Sequence, residues 1–186
     1  MGVSDTTWIA GLLVIALFVS AVGTLSLVGR ISATGLGSDT GTTEANVQAS
    51  TTISLTVESV NFGNVNLNAS DDTTDNSPAP FVVRNDGSVN VNITINATPL
   101  WSGVSKVASD YQVMCGDNSG NPRGVDCPTG SVESWTDLTT SPQKIIANLP
   151  FADNGDEVQA EIKIHVPLDE PAGAKSSTVY FIADQA

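Results

Sequence analysis

The sequence predicts a mainly β protein, an antiparallel β-sandwich preceded by one long hydrophobic N-terminal α-helix. Three observations carry that prediction. Composition is the first: 40% of the 186 residues are hydrophobic and only 15% charged, with abundant Gly, Ser, Thr, Asn and Val, a balance that suits strands and turns better than soluble helices. The second is an apolar stretch without a single charge from Trp8 to Val28. The third is a series of short β-branched runs after residue 50, separated by turn signals, the spacing of a sandwich. A chain of this length holds one domain of ordinary size plus an appendage, and three segments follow: a helix over residues 1–32, a Gly/Ser/Thr-rich neck over 33–50 and a β domain over 51–186.

The N-terminal element reads WIAGLLVIALFVSAVGTLSLV and is apolar on every face. As a helix it spans about 32 Å, close to the roughly 30 Å hydrocarbon core of a bilayer. Ser4 or Asp5 supplies an N-cap, and Arg30 lies at the carbonyl end, where a cation is favoured. Residues 1–5 contain no Lys or Arg and the apolar stretch is longer than the core of a secretory signal. A retained anchor or a filament-core helix is therefore expected over a cleaved peptide. Gly11, Ala16, Ser20 and Gly23 punctuate the helix between Trp8 and Leu27, and small residues at such spacings let neighbouring backbones approach closely. These six form the expected assembly face, although membrane helices also tolerate small residues without packing.

Within the β domain, runs at 52–57, 60–62, 81–83, 89–95, 111–114, 144–147, 158–166 and 178–182 are the expected strands. Val89, Val91, Ile93 and Ile95 alternate with Asn90, Asn92 and Thr94, which gives a half-buried strand. The same period in EVQAEIKIHV directs Val158, Ala160, Ile162, Ile164 and Val166 inward and Glu161, Lys163 and His165 outward. Asn85-Asp86-Gly87 and Asp153-Asn154-Gly155-Asp156 supply the positive φ of tight hairpins.

Charge narrows the partners. The formal net charge is −13, and residues 1–31 contribute only Asp5 and Arg30, so the remainder sets nineteen carboxylates against six cations. Such a surface repels phosphate backbones, which argues against nucleic acid. Cys115 and Cys127 bracket a loop rich in Gly, Asn, Asp and Pro. A disulfide is the expected state and free thiols the alternative; zinc would need four ligands, and His165 is the single histidine. Acidic groups at 71–75, 117–121 and 153–157 offer oxygen ligands for Ca²⁺ but lack the spaced pattern of a calcium loop, so solvated turns are expected and no metal or cofactor is assigned. Asn68, Asn92 and Asn96 each begin an Asn-x-Ser/Thr acceptor. With the cysteine pair they outweigh Arg30, whose position alone would place the domain in the cytoplasm, and an exported domain is expected. Trp101 and Trp135 serve as core or end plugs, or as stacking platforms for a ligand. No nucleophile elbow, phosphate loop or dinucleotide fingerprint occurs, and no enzyme is expected.

The order of an apolar helix at 8–28, a neck ATGLGSDTGTT at 33–43 and a strand-like TISLTV at 52–57 resembles the archaeal type IV pilin and archaellin superfamily. The resemblance covers about residues 1–60 and is one of layout. Further on, VNFGNVNLN, PFVVRNDGSVNVNITIN and VPLDEPAGAKSSTVYFIA look like immunoglobulin-like modules of prokaryotic surface proteins. Together these resemblances imply an immunoglobulin-like sandwich in a structural subunit of an extracellular pilus-like filament, assembled through its N-terminal helices with the β domains outside. Its implied partners are further copies of itself, the membrane before assembly, and surface glycans or host cells. The alternative is a monomeric membrane-anchored adhesion or envelope protein.

Overall fold

A computed structural model describes residues 45–118 and 122–186. The chain divides into two units, Met1–Asn46 and Val47–Ala186. The expected helix, with Trp8, Gly11, Ala16, Ser20, Gly23 and Leu27, lies outside the described residues, as does most of the neck. Among the described residues no helix is long and apolar enough to cross a membrane.

The second unit is mainly β. Its strands are β1 (Ile53–Val57), β2 (Ser70–Asp72), β3 (Phe81–Asn85), β4 (Val91–Ala97), β5 (Tyr111–Gly116), β6 (Thr136–Asp137), β7 (Gln143–Leu149), β8 (Glu157–His165) and β9 (Val179–Gln185), with a 3-10 turn at Ala108–Asp110 before β5. They form two antiparallel sheets. The larger has the order β1-β3-β8-β5-β6, and the smaller β7-β4-β9.

β8, the longest strand, organises the larger sheet. Along one side it pairs with β5, from Tyr111↔Ile164 to Gly116↔Gln159. Along the other it pairs with β3 through Phe81↔Ala160 to Arg84↔Glu157, then with β2 through Ser70↔His165 to Asp72↔Lys163. Thr73 fills the gap between those two partners. Its N–H donates to the Ile162 carbonyl at 3.1 Å, and its hydroxyl accepts the Ile162 N–H at 2.9 Å, so β8 keeps its ladder satisfied where neither strand reaches.

The core follows the period-2 pattern. On β4, Val91, Ile93, Ile95 and Ala97 are buried while Asn92, Thr94 and Asn96 are half-exposed. They join Val83, Val113, Ile145, Ile146, Leu149, Val158 and Ile162 in one apolar cluster. Phe81 of the larger sheet meets Phe181 of the smaller edge-on, with centroids 5.3 Å apart, so the two inner faces share this core. One side of the unit is closed through Val132: the Cys115 N–H donates to its carbonyl at 2.7 Å, and its own N–H donates to Ile145 at 2.8 Å. This links β5 to β7.

Four expectations need correction. The run at 60–62 is not a strand; Val60 and Phe62 pack against the core from a loop. β2 and β6 were not foreseen, because Ser70-Asp71-Asp72 and Thr136-Asp137 carry little β-forming signal. Residues 86–90 and 150–156 are not hairpins, since each joins a strand of one sheet to a strand of the other. Gly87 there serves close approach: a Cβ would stand 2.1 Å from the Ser50 carbonyl oxygen. Gly155, at φ 115°, does use positive φ. Finally, Glu161 is buried, only 4% exposed, because Thr73 and Gly116 cover the outer face of β8 at that point.

Registers Ile53↔Asn85 and Val91↔Gln185 put the start of β1 and the end of β9 at one end of the unit, with loops 86–90 and 150–156. The loops at 58–69, 98–107 and 166–178 gather at the other end.

Candidate functional site

At that loop-bearing end lies a cleft of about 1160 Å³. Phe81, Trp101, Tyr111 and Ile164 line its base, and segments 58–67 and 170–179 form its walls. Trp101 is half-buried, packs against the core and donates its Nε1–H to the Asp110 carbonyl at 2.9 Å. Tyr111 is buried, which raises its phenol pKa against a smaller opposing effect of its hydrogen bond with Ser177. Ser177 in turn donates to the Thr98 carbonyl at 2.6 Å. The apolar base with a rim of Asn and Ser groups has the chemistry of a binding recess. Of its hydroxyls, Ser177 is engaged with Tyr111 and with the Thr98 hydroxyl and carbonyl.

Two adjacent carboxylates hold one wall in place. Glu170 accepts the N–H groups of Ser102 at 2.9 Å and Gly103 at 2.6 Å and the Ser102 hydroxyl at 2.7 Å, and pairs with Lys175 at 2.5 Å. Lys175 first, with those donors, brings the Glu170 pKa down to about 2. Asp169 accepts from the Val104 N–H at 2.9 Å and from the Ser105 N–H and hydroxyl, and the Ser105 hydroxyl leads in lowering its pKa. This clasp left no sequence signal beyond a neighbouring Asp and Glu.

Glu161 is the reverse case. Desolvation raises its pKa, opposed by the Thr73 hydroxyl that donates to it and reinforced by the Asp72 charge. Gln159, with its amide N–H turned toward Glu161 Oε1, donates at 3.0 Å and also reaches the Asp117 carbonyl at 2.7 Å. The two glutamates give opposite pH responses. Glu161→Gln removes a buried charge, so the variant melts higher at pH 7; the gain shrinks as pH falls through the raised folded-state pKa and is gone below the ordinary value of 4.5. Glu170→Gln melts lower at pH 7, and its deficit fades as pH falls from 4.5 toward about 2. Thermal melts of both variants across this range check the two signs.

The other expected site residues separate. Cys115, on β5, and Cys127 are joined as a disulfide, with Cα atoms 5.9 Å apart. The acidic turn at 153–157 is neutralised from within: Arg123 pairs with Asp156 and with Asp153 at 3.3 Å, and Arg84 with Glu157 at 2.8 Å. Asp72 and Asp75 accept from backbone N–H groups two residues ahead, at 3.0 Å and 2.9 Å. Among the described residues no three metal-ligating side chains converge. His165 is outward as expected but not alone, its Nδ1 lying 2.7 Å from buried Asp110. Trp135 lies under the Lys163 ammonium, 5.6 Å from the ring centroid, away from the Trp101 cleft.

The three acceptor asparagines differ. Asn68 is exposed, at φ 59°, in the turn before β2. Asn92 and Asn96 are half-buried on the outer face of β4; Asn92 Oδ1 accepts the Asn148 N–H at 3.1 Å, and the Asn96 amide donates to the Thr140 carbonyl at 3.4 Å.

Fold and site thus define an acidic, disulfide-closed unit of two antiparallel sheets with a loop-lined recess at one end. Comparison with family models, curated proteins and solved structures finds no match to this chain.

Proposed function

We propose that this chain is a structural subunit of an extracellular pilus-like filament, in which residues 8–28 bundle as the core and the β unit, of immunoglobulin-like type, faces outward. One observation carries the reading: an uncharged apolar stretch precedes an acidic unit closed by a disulfide, the bond of an oxidising compartment. The layout of the first 60 residues, similar to archaeal pilins and archaellins, supports it. Shearing cells without detergent tests it. Filaments visible by negative stain, with this chain as their major component, are the expected result. A chain that stays with the membrane until detergent releases it as uniform small particles would overturn the filament.

That outcome is the one the second reading expects, a monomeric anchored adhesion or envelope protein. The loop-lined recess favours it, as a place where a surface glycan or host-cell ligand would be met. On either reading the unit is exported, and Asn68 is its best-presented acceptor. Asn68→Gln is expected to remove most of the attached glycan mass in an intact-mass spectrum, while Asn92→Gln and Asn96→Gln leave most of it.

A further inference from the structure

The side chains that line the loop-bearing recess divide by chemistry. Its charges are mostly spent. Glu170 is held by Lys175 and by the N–H groups of Ser102 and Gly103, which leaves Glu58, exposed on one wall, as the open charge among the described lining residues. Its uncharged polar groups are available. Ser59, Asn64 and Asn66 on one wall, and Ser176 and Thr178 on the other, are exposed, and their side chains have no hydrogen-bond partner among the described residues. The base between them is apolar, with the half-buried Trp101 ring oriented by its Nε1–H, which donates to the Asp110 carbonyl at 2.9 Å.

Both walls are tied down. Asn61 Oδ1 accepts the Gly63 N–H at 2.9 Å within the first, and the Asn68 N–H fastens its end to the Val166 carbonyl at 2.8 Å. Asp169 and Glu170 pin the second to residues 102–105. A recess held in this way meets a ligand without first ordering its own walls, which favours affinity.

We infer that the recess takes a neutral oligosaccharide, with a sugar ring laid on Trp101 and its hydroxyls bonded to the open Asn, Ser and Thr side chains of the two walls. The inference rests on the second reading above, in which the recess meets an external ligand, and gives that ligand a chemical class. A sugar ring has an apolar C–H face and a rim of hydroxyls that both donate and accept. An indole offers the platform for the face, and amides and hydroxyls match the rim. Charge excludes the acidic sugars: a carboxylate or sulfate would find Lys175 already paired, Glu58 opposing it, and seventeen carboxylates against six cations over residues 47–186. A cationic ligand would be answered by Glu58 alone and would leave the five neutral side chains without a use. At about 1160 Å³ the recess exceeds the roughly 300–1,000 Å³ of ordinary small-molecule sites, which gives room for a few sugar residues rather than one.

The test uses the full chain in a detergent without a sugar headgroup, so that the detergent does not compete. Maltotriose, mannotriose and chitotriose are the neutral probes, trigalacturonate the acidic one and spermine the cation, each titrated against tryptophan fluorescence and checked by saturation-transfer NMR. At least one neutral trisaccharide is expected to bind about tenfold or more tighter than trigalacturonate or spermine. Asn64→Ala combined with Asn66→Ala is expected to weaken that binding about tenfold, the loss of two hydrogen bonds. Trp101→Ala weakens it by about as much, and Trp135→Ala, which does not line the recess, leaves it unchanged. Asn64 and Asn66 are exposed, so their double variant keeps the test decisive even where Trp101→Ala fails to fold. Tighter binding of trigalacturonate or spermine, or equal binding of the neutral sugar by the Asn64 and Asn66 double variant, overturns the inference and leaves the adhesion reading standing. Binding of none of the probes overturns it and removes the recess from that reading as well. A neutral trisaccharide bound by a chain whose cells attach to no surface upholds the sugar site and sinks adhesion alone.

Discussion

Replacing both cysteines, Cys115→Ala with Cys127→Ala, lowers the stability of the β unit by about 3 kcal/mol and its Tm by about 10 °C. The bond closes a loop with a sequence separation of 12, and most of the loss comes from the freedom the unfolded chain regains. The folded unit has its own stake in the closure. Cys115 is 3% exposed within the core cluster, and alanine keeps that position apolar. Cys127 donates its N–H to Asp117 at 2.8 Å, and the segment between them returns to β8: the Val125 N–H donates to the Glu157 carbonyl at 2.9 Å, and the Glu157 N–H to the Arg123 carbonyl at 3.0 Å. That segment also carries Arg123 to buried Asp156. A local signature is therefore expected beside the global one, with the Val125 and Glu157 amides losing more exchange protection than those of β4. Circular dichroism melts with and without reductant, and amide exchange on the double variant, check both parts; an unchanged Tm would mean that the loop is held by its hydrogen bonds alone.

The disulfide was legible in the sequence because a loop of Gly, Asn, Asp and Pro between two cysteines states both flexibility and proximity. β4 was legible because its apolar and polar residues alternate and its surroundings respect that alternation. β8 carries the same pattern and misled at one position. Glu161 occupies an outward site, but outward means solvent only where nothing lies on that face, and here Thr73 and Gly116 do. No local pattern encodes that cover, since Thr73 is 88 residues away in sequence. The 60–62 run failed for a related reason: Val60 and Phe62 are partly buried against the core from a loop, and that packing gives the same apolar signature as a strand. The clasp of Asp169 and Glu170 was illegible because its meaning lies in four backbone N–H groups of residues 102–105, a match of loop shapes rather than of residue types.

Ile93→Ala is expected to cost about 3–4 kcal/mol, at least as much as loss of the disulfide. Ile93 is 0% exposed at the middle of β4, between Ile146 on β7 and Ala183 on β9. The methyl of Ala183 cannot swing into the space that truncation leaves, and Ile146 is itself fully buried, so the void persists and its lining loses contacts outright. Ile93→Val, which removes one methyl group, is expected to cost about 1 kcal/mol. The adjacent residue supplies the control. Thr94 points to the outer face, half-exposed between Lys144 and Ile182, and Thr94→Ala is expected to stay within about 0.5 kcal/mol of the parent. Urea unfolding of the three variants measures the contrast. A large effect at Ile93 beside a small one at Thr94 is what a strand with one face in the core and one in solvent requires, and comparable losses at both would mean that the outer face of the smaller sheet is covered as well.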